Sequence, residues 1–185
     1  LVISLVILLM TGLLVGCGQQ TQAPTEEPAS EGQQEEAQEK KIKVGLVYDV
    51  GGRGDLSFND SAYAGLKRAE EDFGVEVIDL EPSGGGEDRE QLLRLLAEDG
   101  YDLIFGVGFM FTDHIAKVAE EFPDTKFGLI DGAVDDIDSS SNISCLMFKE
   151  HEGSFLVGAA AALKSESGKV GYIGGMKSPI IERFE

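Results

Sequence analysis

The sequence predicts a doubly wound α/β fold built on a parallel sheet, and three observations predict it. Short apolar runs recur from Ile42 onward, each bounded by Gly, Pro or Asp. Stretches with helical periodicity fall between most of them. Regular alternation of the two is the pattern of a sheet whose strands are parallel and covered on both faces.

Taken in order, strands are expected at 42–47, 75–80, 101–107, 126–130, 143–148 and 169–173. The first helix, over 59–73, puts Ala62, Tyr63, Leu66, Ala69 and Phe73 on one face and stops at Gly74, a residue suited to the left-handed C′ position. The second carries Leu92, Leu93, Leu95 and Leu96 and stops at Gly100. The third, 112–122, ends before Pro123. A fourth, over 152–164, is rich in Ala and Gly and is expected to pack closely against its neighbours. The link between Ile130 and Ile143 has no helical pattern, and Asp135, Asp136 and Asp138 mark it as an exposed loop.

Ahead of this body, residues 1–16 (LVISLVILLMTGLLVG) are apolar and uncharged. The run is shorter than the about 20 residues that span a bilayer, which suits a signal-peptide core. Leu14-Val15-Gly16-Cys17 resembles the bacterial lipobox, so Cys17 is expected to be diacylated, to become the new N-terminus and to hold the chain on the outer side of the cell membrane by lipid. Residues 17–41 then form a Gln-, Glu- and Pro-rich tether with too little apolar surface to order itself. The chain begins at Leu1 rather than Met and ends in what reads as the start of a helix, so both ends are expected to be truncated.

Charge and motif exclude several functions. A net charge of −19 repels phosphate backbones and argues against nucleic-acid binding. Gly52-Arg53-Gly54 and Gly106-Val107-Gly108 both lack the third glycine of a dinucleotide loop, and neither continues into Gly-Lys-Ser/Thr. No nucleophile elbow and no His-Glu-x-x-His pair is present, and His114 and His151 read as surface or helix-face residues. The acidic run 131–138 lacks the spacing of a calcium loop. Cys145, without a partner in the folded body, reads as a small strand hydrophobe. Neither an enzyme nor a cofactor is expected.

What remains is the stretch GGRGDLSFND, Gly51 to Asp60, at the exit of the first strand. In parallel sheets ligands bind at the carboxyl ends of strands, and here a flexible loop leads to an aromatic beside an amide and carboxylates. Phe58 offers a face for stacking on a ring, while Asn59 and Asp49 could read the polar edge of a base or the hydroxyls of a sugar. Equally open is a structural role, with Phe58 as a hydrophobic staple and Asn59 as helix N-cap.

The longer motifs carry a resemblance. Asp49-Val50-Gly51-Gly52 with Asp55-Leu56-Ser57-Phe58-Asn59, GVGFMFTDHIAKVAEEFPDTKFGLIDG and FKEHEGSFLVGAAAALKSESGKVGYIGGM, together with the lipobox and acidic tether, closely resemble the BMP family of basic-membrane-protein lipoproteins. The resemblance runs from Ile42 to the last residue and looks like the purine-nucleoside receptors that feed ABC transporters. It implies a type I periplasmic-binding-protein fold, two α/β lobes closing on a nucleoside without chemistry. It also implies a membrane-anchored, extracytoplasmic receptor that delivers its ligand to an ABC permease and ATPase. By the same resemblance Phe58 stacks on the base, Asn59, Asp49 and Asp131 supply polar contacts, and Gly108, Phe109 and Met176 line the cleft. The N-terminal lobe is expected over 42–175, with the hinge and the start of the second lobe at 176–185. Another small solute such as a sugar, or a surface role as adhesin or antigen, are the alternatives.

Overall fold

The structure is a computed structural model, and it describes residues 40–185. The expected leader, Cys17 and nearly all of the tether lie outside the described residues. Five strands form one parallel sheet: β1 (Lys43–Val47), β2 (Glu76–Leu80), β3 (Leu103–Val107), β4 (Lys126–Ile130) and β5 (Ile143–Leu146), in the spatial order β2-β1-β3-β4-β5. The helices are α1 (Phe58–Phe73), α2 (Arg89–Glu98), α3 (Thr112–Glu121), α4 (Glu150–Lys164) and the short α5 (Pro179–Glu182). The predicted α/β class with a parallel sheet is therefore present.

The sheet divides the core by side-chain alternation. Val44, Leu46, Tyr48 and Val107 point to the side where Leu66 of α1 packs. Val47, Ile104, Phe127 and Leu129 point to the other, where Leu93 and Leu96 of α2 and Ile115 and Val118 of α3 close over them. Burying each such Leu, Ile or Phe contributes about 1.5–3 kcal/mol. Helix α1 stops as expected at Gly74, which adopts φ 66° and donates its N–H to the Glu70 carbonyl.

Three expectations about covering fail. The segment 169–173 forms no strand and pairs with nothing in the sheet, and Ile173 is 97% exposed. Helix α4 does not pack closely: Phe155, Leu156, Val157 and Leu163 are all exposed. Its apolar residues meet only an open groove or solvent among the described residues, so composition alone could not bury them. On the α1 side the sheet is covered over β2 and β1 but open towards β5, where Phe105 and Ile130 are half-buried and Leu146 is exposed.

Candidate ligand crevice at the strand ends

Chain reversal fixes where a ligand would enter. The connection from β1 to β2 runs through α1 on one face, and that from β2 to β3 through α2 on the other, so the carboxyl ends of β1 and β3 part at a topological switch point. Asp49 lies just past β1 and Gly108 just past β3.

The first wall is the exit of β1. Tyr48 is fully buried and extends the ladder, its N–H donating to the Leu80 carbonyl at 3.0 Å. Its hydroxyl donates to Asp79 Oδ2 at 3.0 Å, and burial, then Asp79, push the phenol well above its ordinary value. Gly52 follows at φ 59°, where a Cβ would lie 2.6 Å from the Glu81 carboxyl carbon, so this turn needs glycine. Arg53 rests on the Tyr63 ring, 3.3 Å from its centroid, while its N–H donates to Glu81 Oε1. The glycine-rich loop is thus pinned at several points.

The start of α1 supplies Phe58 and Asn59. The N-cap position is Ser57, but its side chain makes no capping bond. Asp55 satisfies the helix instead, accepting from the N–H groups of Ser57, Asn59 and Asp60. Those bonds, Asn59 first, hold the Asp55 carboxyl below its ordinary value. Asn59 is therefore not the cap; it is 3% exposed, and its Oδ1 accepts the Asp49 N–H at 3.1 Å. That bond fixes the amide's orientation and leaves Nδ2 without a hydrogen bond among the described residues. Phe58 is half-buried, packed beside the cluster that contains Tyr48 and Val107, so the structure makes it neither a fully exposed ring nor a core one.

The far wall comes from β3 and β4. Gly108 donates its N–H to the Ile130 carbonyl at 2.8 Å, which ties the two strand ends together. It adopts φ 99°, and a Cβ there would stand 2.8 Å from Asp49 Oδ2. Phe109 follows at the head of a short 3-10 turn that leads into α3. Asp131 ends β4 at φ 59°, with its N–H donating to the Leu146 carbonyl at 2.9 Å. Its Oδ1 is buried without a partner, and burial first, then Glu150, push its carboxyl upward. An unpartnered buried acceptor in a left-handed turn asks for a donor from outside.

Asp49, Asn59, Gly108 and Asp131 thus form a continuous edge through direct contacts and strand-end bonds, with Phe58 and Phe109 adjacent in sequence. Met176 does not join them; it shares a shallow depression with Tyr172, Lys177 and Ile181. A roomier groove of about 760 Å³ lies between α4 and Val170–Tyr172. Its wall includes Val157 and Ala161, surface that α4 leaves uncovered, together with the buried Glu150, which pairs with Arg183 at 2.9 Å. Sequence reasoning missed Arg89, a buried cation beside Asp49. Its signal was faint, a run of glycines before a helix. Among the described residues no group of His, Cys, Asp and Glu could hold a metal ion, and no helix is long and apolar enough to cross a membrane.

Comparison with known proteins gives the edge a context. Residues 41–185 match the profile of the Bmp family, described as ABC transporter substrate-binding protein PnrA-like. A lipoprotein of Pyrococcus furiosus is 38% identical over 98% of this chain and 42% of its own length. Basic membrane protein B of Borreliella burgdorferi is 40% identical over 80% of this chain and 45% of its own. The crystal structure of an ABC transporter system solute-binding protein from Aeropyrum pernix K1 superposes with a TM-score of 0.65 and 38% identity, covering 77% of this chain and 40% of that one. The chain spans less than half the length of the curated relatives it matches.

Proposed function

The chain belongs to the Bmp family of PnrA-like ABC transporter substrate-binding proteins, and from that premise we propose that the full-length protein is a nucleoside receptor, with purine nucleosides as its first ligands. It is held by a lipid at Cys17 on the outer face of the cell membrane and passes its ligand to an ABC permease driven by a cytoplasmic ATPase. The family is one of binding proteins, so capture and release are the whole of its chemistry here. That relatives are named lipoproteins supports the anchor.

The observation that carries the ligand class is the run of strand ends itself: a half-buried aromatic, Phe58, next in sequence to Asn59, whose amide donor has no partner among the described residues, with acceptors on Asp49 and, at the end of β4, on Asp131. A flat base stacks on the ring, and its edge or the ribose hydroxyls meet the polar groups. Asp49 Oδ2 and Asp131 Oδ1 are acceptors without a donor among the described residues, which a nucleoside hydroxyl or N–H can satisfy and a phosphate oxygen cannot, so the free nucleoside rather than the nucleotide is the fitting form. Gly108 and Phe109 stay in the proposal as lining residues, while Met176, expected beside them, sits apart with Tyr172 and Ile181 and is not part of this edge.

Calorimetry on the full-length protein without its acyl group tests this against adenosine, guanosine, inosine, cytidine, uridine and ribose. Purine nucleosides are expected to bind at micromolar Kd or tighter. Phe58→Ala should weaken them about 5- to 150-fold, the range for one lost stacking contact. Saturable ribose binding without competition from nucleosides would replace the ligand class by a sugar. Binding to no solute, in folded and ligand-free protein, would favour an adhesin or antigen role.

A further inference from the structure

Arg89 opens α2, where the positive end of the helix dipole disfavours a cation. It is nonetheless only 4% exposed. Its Nη1 donates to the Gly86 carbonyl at 2.9 Å, its Nη2 to Asp49 Oδ1 at 3.3 Å, and its Nε is buried without a partner among the described residues. The guanidinium also lies 5.5 Å from the centroid of Phe111, a fully buried ring. Gly86, at φ 86°, folds over it so closely that a Cβ would stand 2.3 Å from Arg89 Cζ. A loop of glycine, a core aromatic and a strand-end carboxylate therefore enclose one cation.

Burying a charge is costly unless a counter-charge meets it. Among the described residues Asp49 is the carboxylate in ion-pair reach of Arg89. The pairing divides the two oxygens of Asp49. Oδ1 is taken by Arg89 and by the Val50 N–H at 2.8 Å. Oδ2 accepts no hydrogen bond among the described residues and faces the open backbone of Gly108 in the crevice. We propose that Arg89 is a positioning residue that locks the Asp49 carboxylate by Oδ1, so that Oδ2 is presented as a fixed acceptor for a ligand hydroxyl or N–H. The inference rests on the nucleoside reading for the identity of that ligand, but the lock itself does not need it.

A mutant cycle on the full-length protein, titrated calorimetrically with guanosine and inosine, tests the coupling. Arg89→Met and Asp49→Ala should each lose about tenfold in affinity, the worth of one charge-assisted hydrogen bond. The double variant should lose no more than Asp49→Ala alone. Multiplying losses, or wild-type affinity in Arg89→Met, would overturn the proposal. Where Arg89→Met does not fold, Arg89→Lys takes its place in the cycle; it keeps the charge without the planar fork and should recover affinity in part. The second readout needs no ligand. Side-chain coupling constants should show one Asp49 χ1 rotamer in the wild type and averaging in the Arg89 variant, and an unaveraged rotamer there would also overturn the lock. If the wild type binds no nucleoside while the rotamer result holds, the ligand reading fails and Arg89 keeps its role.

Discussion

Asn59 and Asp131 show what a single residue can and cannot declare. From the chain alone Asn59 could be a helix cap or a ligand contact. In the fold its Oδ1 is spent on the N–H of Asp49, ten positions earlier, a tertiary bond that no local pattern encodes. Asp131 was legible as a strand-end residue, but its left-handed backbone and orphaned Oδ1 were not. Its raised carboxyl pKa carries a definite sign. The folded state holds the proton more tightly than the unfolded one, so stability is greatest below the ordinary carboxylate range and falls as pH rises through the folded pKa. Asp131→Asn removes the charge while keeping a side chain tolerant of positive φ. The thermal midpoint of the ligand-free protein should rise by a few degrees at pH 7 and be unchanged at pH 3, while nucleoside affinity falls. A midpoint that drops at pH 7 would show that the ionised carboxylate is satisfied in the free protein.

At the scale of elements, the strands and helices that the sequence made legible are those that bury one another. β1 to β5 and α1 to α3 each carry an apolar face that another described element covers, so periodicity and burial agree. α4 and 169–173 carry equally apolar patterns, and there the agreement breaks because a pattern states what needs covering and not what covers it. α2 and α3 are also joined on their outer side. Glu90 accepts from Lys117 at 2.7 Å and from Arg94 at 3.0 Å, and Arg94 continues to Glu121. Lys117 first, then Arg94, hold the Glu90 carboxyl down to about 2. A depressed carboxyl stabilises the fold above the ordinary range near 4.5, and the gain is lost as pH falls towards 2. Glu90→Gln should therefore lower the midpoint by about 1–3 °C at pH 7 and low salt, within what exposed pairs deliver. The gap should shrink in high salt and close at acid pH. A gap independent of pH and salt would assign Glu90 to packing rather than charge.

At the scale of the whole molecule, the uncovered surface bears on where the first lobe is expected to end. The sheet finishes at Leu146, nothing after it joins the sheet, and α4 exposes Phe155 to 74% and Leu163 to 87%. Apolar surface so extensive is normally an interface. The sequence places the end of the first lobe at residue 175, and the exposed faces of α4 and 169–173 set against it the alternative of a boundary before α4. Phe155 separates the two boundaries. In the 185-residue chain Phe155→Ser should leave the unfolding midpoint of the sheet unchanged, because the ring touches no core, and ending the chain at residue 148 should leave it unchanged as well. In a protein of the relatives' length the same substitution should cost about 3 kcal/mol or more, the price of emptying a buried aromatic site. Destabilisation in the 185-residue chain would instead mean that α4 belongs to the first lobe and leans on the sheet.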